Sequence, residues 1–213
     1  MQRDHGRVAT PDELVFALCH EVGNLLAAAR LEASLLDASR DDPALATASE
    51  RISEISARAG SLLALVRPLL DASSVQTLPT DPVEMLRGLR RGLDASLDAR
   101  VAIDLDSAAD LPDVAVAAEV LHHLLLNAIF FGLAAADGPG EARVRARADG
   151  ERVAFEVEDH GRPERDEDAG VLCGRPLAHA IARTLLAGQG GAFGCSRSGG
   201  RTCVVFALPA ADA

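Results

Sequence analysis

The sequence contains no lysine, no tryptophan and no tyrosine, so all 21 of its permanent positive charges are arginines. Without the two larger aromatic residues it lacks most of the stacking surface on which proteins hold single-stranded nucleic acids. Its acidic balance has the same consequence, because 213 residues with a formal net charge of −11 repel a phosphate backbone. These absences argue against a nucleic-acid partner.

Long apolar runs are also scarce. The N-terminal segment MQRDHGRVATPDE has no apolar core of the kind found in secretion signals. The longest apolar stretch, residues 120–136, is interrupted by two histidines and an asparagine, which argues against a membrane span. We therefore expect a soluble, cytoplasmic protein without a membrane partner. The cysteines form no C-x-x-C pair and are expected to be free thiols in a reducing compartment: Cys19, Cys173, Cys195 and Cys203.

The N-terminal third indicates two long helices. Thr10 and Glu13 form a capping box, and the first helix should run to about Ser39 before the acidic, proline-ending turn 41–43. Two helices joined by a short turn predict an antiparallel hairpin over residues 10–72. One hairpin cannot bury two apolar stripes, so two copies are expected to pair into a four-helix bundle. The stripe of the second helix has spacings of three, four and seven: Leu45, Ile52, Ile55, Ala59, Leu62, Val66 and Leu69.

The pattern changes after a predicted linker at residues 73–80. A second domain is predicted over residues 81–209, in which helical and strand patterns follow one another in mixed order. Such an order predicts an α+β architecture, with helices covering one face of a sheet. Helices are expected at 81–97, 113–135 and 176–187, and strands at 101–105, on both sides of the Asp149-Gly150 turn and at 199–209.

A polar cluster interrupts the first helix in the segment ALCHEVGNLLAAA. At about 100° per residue, His20 lies opposite the apolar stripe, Asn24 follows one turn later on the same face, and Glu21 lies close by. Compared with alanine, Gly23 lowers the stability of the helix by up to about 1 kcal/mol. It also removes side-chain bulk beside the imidazole. An exposed imidazole next to a carboxylate suits nucleophilic chemistry; a solvated surface histidine is the alternative. The apolar stripe comprises Leu14, Leu18, Val22, Leu25, Leu26, Ala29, Ala33 and Leu36.

The motif HEVGN resembles the H-box of bacterial two-component histidine kinases, in which an acid follows the histidine and Asn or Thr stands four residues on. This resemblance implies that His20 is the phosphoacceptor, that Glu21 is its acid/base partner, and that Asn24 positions phosphate or a hydrolytic water. It also implies response-regulator receiver domains as partners, which would dock beside His20. Phe16, Gly23 and Leu31 lie close to the histidine on the helical wheel and are the predicted docking residues.

The second domain is similar to the ATP-binding, Bergerat-type α/β sandwich of the same family, which has a mixed sheet. The run LPDVAVAAEVLHHLLLNA resembles the N-box and places Asn127 at the magnesium-binding position. VEDHG resembles the G1 box, with Asp159 reading adenine and Gly161 as its first glycine. GRPLAHAIARTLLAGQGG resembles the G2 box beginning at Gly174, and GGRTCVVFALP the closing strand. The cofactors implied are ATP and Mg²⁺.

The nucleotide motifs depart from the family pattern at several positions. His123 stands where the first N-box asparagine is expected, and Pro163 and Pro176 replace second glycines of the two glycine boxes. Proline lacks an N–H donor and cannot adopt positive φ, so both changes weaken a phosphate cradle. The intervening segment 162–173 is short and mostly acidic. These departures predict a nucleotide site that binds ATP weakly or not at all.

Three functions remain open. The favoured one is a phosphorelay protein that carries phosphate on His20 and exchanges it with receiver aspartates. One alternative is a minimal soluble kinase that phosphorylates His20 from ATP, and another is a non-catalytic scaffold dimer. A metal site built from Cys19 with His20, or from His122 with His123, is disfavoured because adjacent helical residues point about 100° apart.

Overall fold

The protein is described from a computed structural model, which covers residues 10–38, 44–70, 78–93, 100–135, 140–160 and 174–211. Its N-terminal part is a helical hairpin, as predicted. The helices are α1 (Pro11–Ala38), α2 (Ala44–Leu63) and, after a two-residue turn, the short α3 (Val66–Leu70). The predicted turn at residues 41–43 lies outside the described residues.

The first helix begins at the predicted capping box. The Glu13 amide donates to the Thr10 hydroxyl over 3.3 Å, and the Thr10 amide donates to the Glu13 carboxylate over 2.9 Å. The lower part of the predicted stripe is buried between the helices, from Leu14 to Leu25, whereas Leu26 is 55% exposed. Hydrophobic burial therefore anchors the first half of α1 within one chain.

One helix among the described residues, Pro11–Ala33, has the length and mean hydropathy, 1.4, to cross a membrane, a criterion that core helices of soluble proteins also meet.

The second domain is an α/β sandwich with a mixed five-stranded sheet. Its strands are β2 (Val101–Ile103), β4 (Ala142–Asp149), β5 (Arg152–Asp159), β6 (Ala192–Ser198) and β7 (Arg201–Pro209), in the order β2-β4-β5-β7-β6. The pair β2–β4 is parallel and the others are antiparallel. A separate two-stranded sheet joins β1 (Leu78–Thr80) to β3 (Val114–Val116).

Two helices pack on the large sheet, α5 (Ala118–Ala134) and α6 (Gly174–Ala187), and a third, α4 (Pro82–Arg91), packs against α5. Strand residues alternate between this core and the solvent. Val144 and Phe155, for example, are fully buried, whereas Arg143 and Arg145 lie on the open face. The hairpin continues the same core, because α2 packs against α5 and α1 packs against α6.

Several predicted boundaries were wrong for identifiable reasons. The helix expected at 113–135 starts at Ala118, because the preceding Val-Ala-Val segment forms β3 and pairs with the end of the predicted linker. The strand expected at 101–105 ends at Ile103 and passes into a 3₁₀ turn at Asp106–Ala108. The helix expected at 81–97 ends at Arg91, where Gly92 follows. Strand β6 was not predicted at all.

Candidate functional site

His20 is exposed near the middle of α1, with Asn24 one helical turn away. The Asn24 side-chain nitrogen Nδ2 lies 3.3 Å from the imidazole nitrogen Nδ1. The two side chains lie on one open face, as the helical wheel predicts, and their nitrogen atoms are also in contact. A Cβ atom added at Gly23 would meet no atom of the described residues within 4 Å, so no contact among those residues requires glycine there.

Apolar side chains flank His20 on its open face. Phe16 is 76% exposed and Leu31 is 65% exposed. Residues at i−4 and i+11 lie near the histidine on a helical wheel, so both can contact a partner that approaches the imidazole. The face of α1 that carries His20 is therefore open and partly apolar.

Glu21 is not beside the imidazole but in the junction between the hairpin and the second domain. It is buried, and its oxygen Oε1 accepts a 2.7 Å hydrogen bond from Nη2 of Arg58 on α2. Its other oxygen, Oε2, lies 3.5 Å from the amide nitrogen of Gly174 at the start of α6. The Arg58 guanidinium also stacks on Phe131, 4.2 Å from the ring centroid. Among the described residues, these contacts engage both Glu21 oxygens.

A buried ion pair occupies the predicted adenine-reading position. Asp159 is 1% exposed, and its oxygen Oδ1 accepts a 3.1 Å hydrogen bond from Nη2 of Arg175. The same Arg175 nitrogen donates to the Phe131 carbonyl over 3.3 Å. Gly132 permits this packing, since a Cβ atom there would lie 2.8 Å from Asp159.

Asn127, predicted to hold magnesium, is buried in the middle of α5. Its nitrogen Nδ2 donates to the His123 carbonyl over 2.9 Å. Its oxygen Oδ1 is buried and has no hydrogen-bond partner among the described residues. An orphaned amide oxygen suits a water molecule or a cation as partner. Asp159 also lines this pocket, but its carboxylate is paired with the Arg175 cation at 3.1 Å, so its charge is already neutralised and a metal ion is disfavoured.

The pocket around Asp159 and Asn127 is small. Its volume is about 20 Å³, which accommodates about one water molecule. Leu62 and Leu65 of the hairpin line it on one side, and Phe206 of β7 lines it on the other. An adenine ring does not fit this space while Arg175 is paired with the Asp159 carboxylate. The described residues of this pocket therefore do not fit Mg²⁺-ATP in this arrangement.

The remaining predicted nucleotide residues have different outcomes. Gly161 and Pro163 lie outside the described residues. Gly174 starts α6 with φ of +56°, a conformation that glycine adopts without strain. Its amide faces the Glu21 carboxylate, so an anion of the chain itself lies at this helix N-terminus.

Two adjacent histidines lie on α5 where the hairpin contacts it. The Ser61 hydroxyl lies 3.4 Å from Nδ1 of His123 and 3.3 Å from its carbonyl oxygen. Burial lowers the pKa of His123, and burial together with the neighbouring His123 lowers the pKa of His122. Within the described part of the chain, no group of three or more His, Cys, Asp or Glu side chains could hold a metal ion.

Comparison with protein-family models and with curated proteins finds no match. Solved structures do match. Histidine kinase AdeS from Acinetobacter baumannii matches with a TM-score of 0.53 at 14% identity, covering 91% of this chain and 98% of that one. Histidine kinase ThkA in complex with response regulator protein TrrA gives a TM-score of 0.55 at 14% identity, over 91% and 60% of the two chains. Full-length ShkA in complex with AMPPNP gives 0.51 at 20% identity, over 96% and 47%.

The chain has the histidine kinase fold. This agreement confirms the predicted architecture of a helical hairpin followed by a mixed α/β sandwich. At such identities the likeness concerns the fold alone, so the chemistry has to be argued from the residues that this histidine kinase fold carries.

Two site residues escaped sequence reasoning. Arg175 directly follows Gly174, and only the fold brings it to Asp159. Arg58 sits beside Ala59 of the α2 stripe, which places an arginine next to buried positions. A charged residue at such a position indicates a buried partner of opposite charge, and that signal was available in the sequence.

Proposed function

We propose that this protein carries a phosphoryl group on His20 and exchanges it with receiver aspartates of response regulators in two-component signalling. The observation that supports the proposal most directly is a contrast in access. His20 is exposed on an open face of α1, whereas the pocket around Asp159 has room for about one water molecule. The acceptor is available to a protein partner, and the nucleotide pocket is filled from within.

The proposed chemistry requires only a nucleophile and a phosphorylated donor. A lone pair on the His20 ring attacks the phosphorus of an aspartyl phosphate, a new P–N bond forms, and the bond to the carboxylate oxygen breaks. The aspartate leaves with the electron pair of that bond. The reverse reaction, with a second receiver aspartate, regenerates the free imidazole, so the chain acts as a phosphate carrier.

The open face of α1 suits a protein donor. Phe16 and Leu31 offer exposed apolar area on either side of His20, and Gly23 leaves space for close approach. ThkA, which shares the fold, has been crystallised with a response regulator. We assign the same class of partner to this chain. In this proposal the chain is cytoplasmic and forms a dimer through its helical hairpin.

Autophosphorylation from ATP is the competing function, and the ShkA structure with AMPPNP supports it as a property of a protein with this fold. In this chain, ATP binding would require Arg175 to leave Asp159 and the hairpin residues Leu62 and Leu65 to move away from the pocket. Breaking a buried ion pair by displacing one partner costs about 3–5 kcal/mol. That cost opposes nucleotide binding and favours the carrier function.

The test is phosphoryl transfer to the full chain from three donors: a purified receiver domain carrying aspartyl phosphate, phosphoramidate, and ATP with Mg²⁺. We expect acid-labile phosphate on the wild-type protein from the first two donors and none from ATP. His20→Ala should abolish the labelling, whereas the matched control His160→Ala, at another exposed histidine, should retain it.

The alternatives predict different results. Labelling by ATP that disappears in Asn127→Ala would establish the kinase instead. If no donor labels the protein, the non-catalytic scaffold dimer becomes the favoured function. Titration with millimolar ATP provides an independent check, since the filled pocket predicts no saturable binding.

A further inference from the structure

We propose that a ring of contacts keeps the pocket around Asp159 closed for as long as the helical hairpin is docked on the sandwich. This contact ring joins residues of four helices: Glu21 of α1, Arg58 of α2, Phe131 of α5, and Gly174 and Arg175 of α6. All of its contacts form within one chain, so the contact ring does not depend on the proposed carrier role of His20.

One half of the contact ring passes through Phe131. The guanidinium of Arg58 donates to Glu21 Oε1 over 2.7 Å and lies on the Phe131 ring, 4.2 Å from its centroid. The backbone carbonyl of the same phenylalanine accepts a 3.3 Å hydrogen bond from Nη2 of Arg175. Phe131 is only 4% exposed, and a close-packed core resists a shift of its ring relative to its backbone. The position of Arg58 therefore constrains that of Arg175.

The other half of the contact ring passes through Gly174. Its amide nitrogen lies 3.5 Å from Glu21 Oε2, and Arg175 is the next residue. A carboxylate at the N-terminus of α6 is favoured by the partial positive charge of that helix end. Because a planar peptide bond joins Gly174 to Arg175, a displacement of the first residue moves the backbone of the second. Glu21 thus helps to fix the start of α6.

The contact ring ends at the group that fills the pocket. The Arg175 nitrogen Nη2 that donates to the Phe131 carbonyl also donates to Asp159 Oδ1 over 3.1 Å. The hairpin residues Leu62 and Leu65 complete the wall of the same pocket. Departure of the hairpin would therefore remove this wall and the support of Arg175 together. A ligand that donates to the Asp159 carboxylate must compete with hairpin docking, which makes the contact ring an autoinhibitory device.

Backbone hydrogen exchange, followed by mass spectrometry on the full-length protein, tests this coupling. Glu21→Gln preserves the shape of the side chain and removes the charge that binds Arg58. Exchange in residues 178–182 of α6 should become about fivefold faster or more, the lower end of the usual coupling between two sites. The matched control is Glu32→Gln, which removes the other α1–α2 ion pair, at 3.4 Å from Arg51, and should leave exchange in α6 unchanged.

The same coupling must act in the opposite direction, because coupling free energies between sites are reciprocal. The double variant Arg175→Gln, Asp159→Asn removes both charges in the pocket and so leaves no buried charge unpaired. Exchange in residues 22–25 of α1 should then also become about fivefold faster or more, although these residues lie on the hairpin. Strands β4 and β5 provide an internal reference in every variant, since general destabilisation would speed exchange there as well.

Unchanged exchange in α6 of Glu21→Gln would overturn the contact ring, as would an equal increase in β4 and β5, which would indicate general loss of stability. If the double variant does not fold, the comparison of Glu21→Gln with Glu32→Gln decides alone. The proposed function fails separately. If His20 accepts phosphate from no donor while exchange changes as stated, the contact ring is supported and the carrier role is wrong.

Discussion

His179 is a histidine held neutral by its surroundings. It lies on α6 between Arg175 and Arg183, and its ring stacks on Phe193 with centroids 5.0 Å apart. Burial, followed by the two arginines, lowers the pKa of His179 to about 4, and the nearby Asp159 opposes this only in part. The half-buried imidazole of His179 is therefore uncharged at neutral pH.

This depressed pKa predicts that folding stability falls in mild acid. Above pH 6.5 the imidazole is neutral in both the folded and the unfolded chain, so it adds no pH dependence. Between pH 6.5 and pH 4 the unfolded chain binds a proton that the folded chain does not, so the free energy of unfolding decreases as the pH falls. At pH 4.5 the loss relative to pH 7 is roughly 2 kcal/mol.

Urea unfolding at pH 7 and pH 4.5 measures this loss, with His179→Leu as the comparison. The variant should lose about 2 kcal/mol less than the wild type over the same interval. His122 and His123, whose pKa values burial also lowers, contribute equally in both proteins. Equal pH dependence of the two proteins would show that His179 is not held neutral.

At the scale of elements, the contacts of α1 with α6 and of α2 with α5 determine how the hairpin sits on the sandwich. The Glu21–Arg58 pair forms on the hairpin side, and Arg58 continues onto the Phe131 ring of α5. Ser61 adds a hydrogen bond to His123. The largely buried pair therefore links the two domains close to the phosphoacceptor helix.

A double-mutant cycle with Glu21→Gln and Arg58→Met measures the strength of the ion pair that forms this link. A charge-assisted hydrogen bond in a partly buried site predicts a coupling energy of about 1.5–3 kcal/mol in urea unfolding. The Glu32–Arg51 pair joins the same two helices at 3.4 Å, with Arg51 63% exposed, and provides a matched control with an expected coupling of about 0.2–1 kcal/mol. Equal couplings for the two pairs would contradict the link.

Local sequence patterns correctly predicted those helices and turns whose conformation depends on residues close together in the sequence. The capping box at Thr10 and the Asp149-Gly150 turn, where Gly150 has φ of +65°, were both recognisable. The three-residue strands β1 and β3 were not, because pairing with each other, not length or periodicity, makes them strands. Strand β6 is largely exposed or half-buried and so lacks a clear alternation.

The contacts of the candidate site also fall into two groups, local contacts that the sequence predicts and long-range contacts that it does not. His20 and Asn24 are four residues apart on one helix, so their pairing followed from helical geometry. Glu21 reaches Arg58 across the hairpin, and Arg175 reaches Asp159 across 16 residues. The first contact depends on how α1 packs against α2, and the second on how α6 packs against the sheet. No local pattern encodes either packing, so the filled pocket became visible only in the fold.

At the scale of the whole molecule, the hairpin leaves apolar surface uncovered. Leu26 is 55% exposed although it belongs to the stripe whose earlier members, such as Leu18 and Leu25, are buried. The stripe of α1 thus runs beyond the surface that its own α2 covers. A second hairpin packed against it would complete a four-helix core, as the sequence pattern predicts.

The dimer prediction can be tested with one substitution and one control. Leu26→Glu places a charge at two symmetry-related positions of the predicted interface, and each lost leucine contact costs about 1.5–3 kcal/mol. Two such losses weaken association by at least about a hundredfold. Sedimentation across a concentration series should then show a wild-type dimer and a variant monomer. Phe16→Glu, which adds the same charge on the His20 face, should remain dimeric.

Two results would contradict the dimer prediction. A wild-type monomer at all concentrations would mean that another molecule covers the α1 stripe. Dissociation by Phe16→Glu alone would place the dimer interface on the face of α1 that carries His20 and leave no room there for a receiver domain.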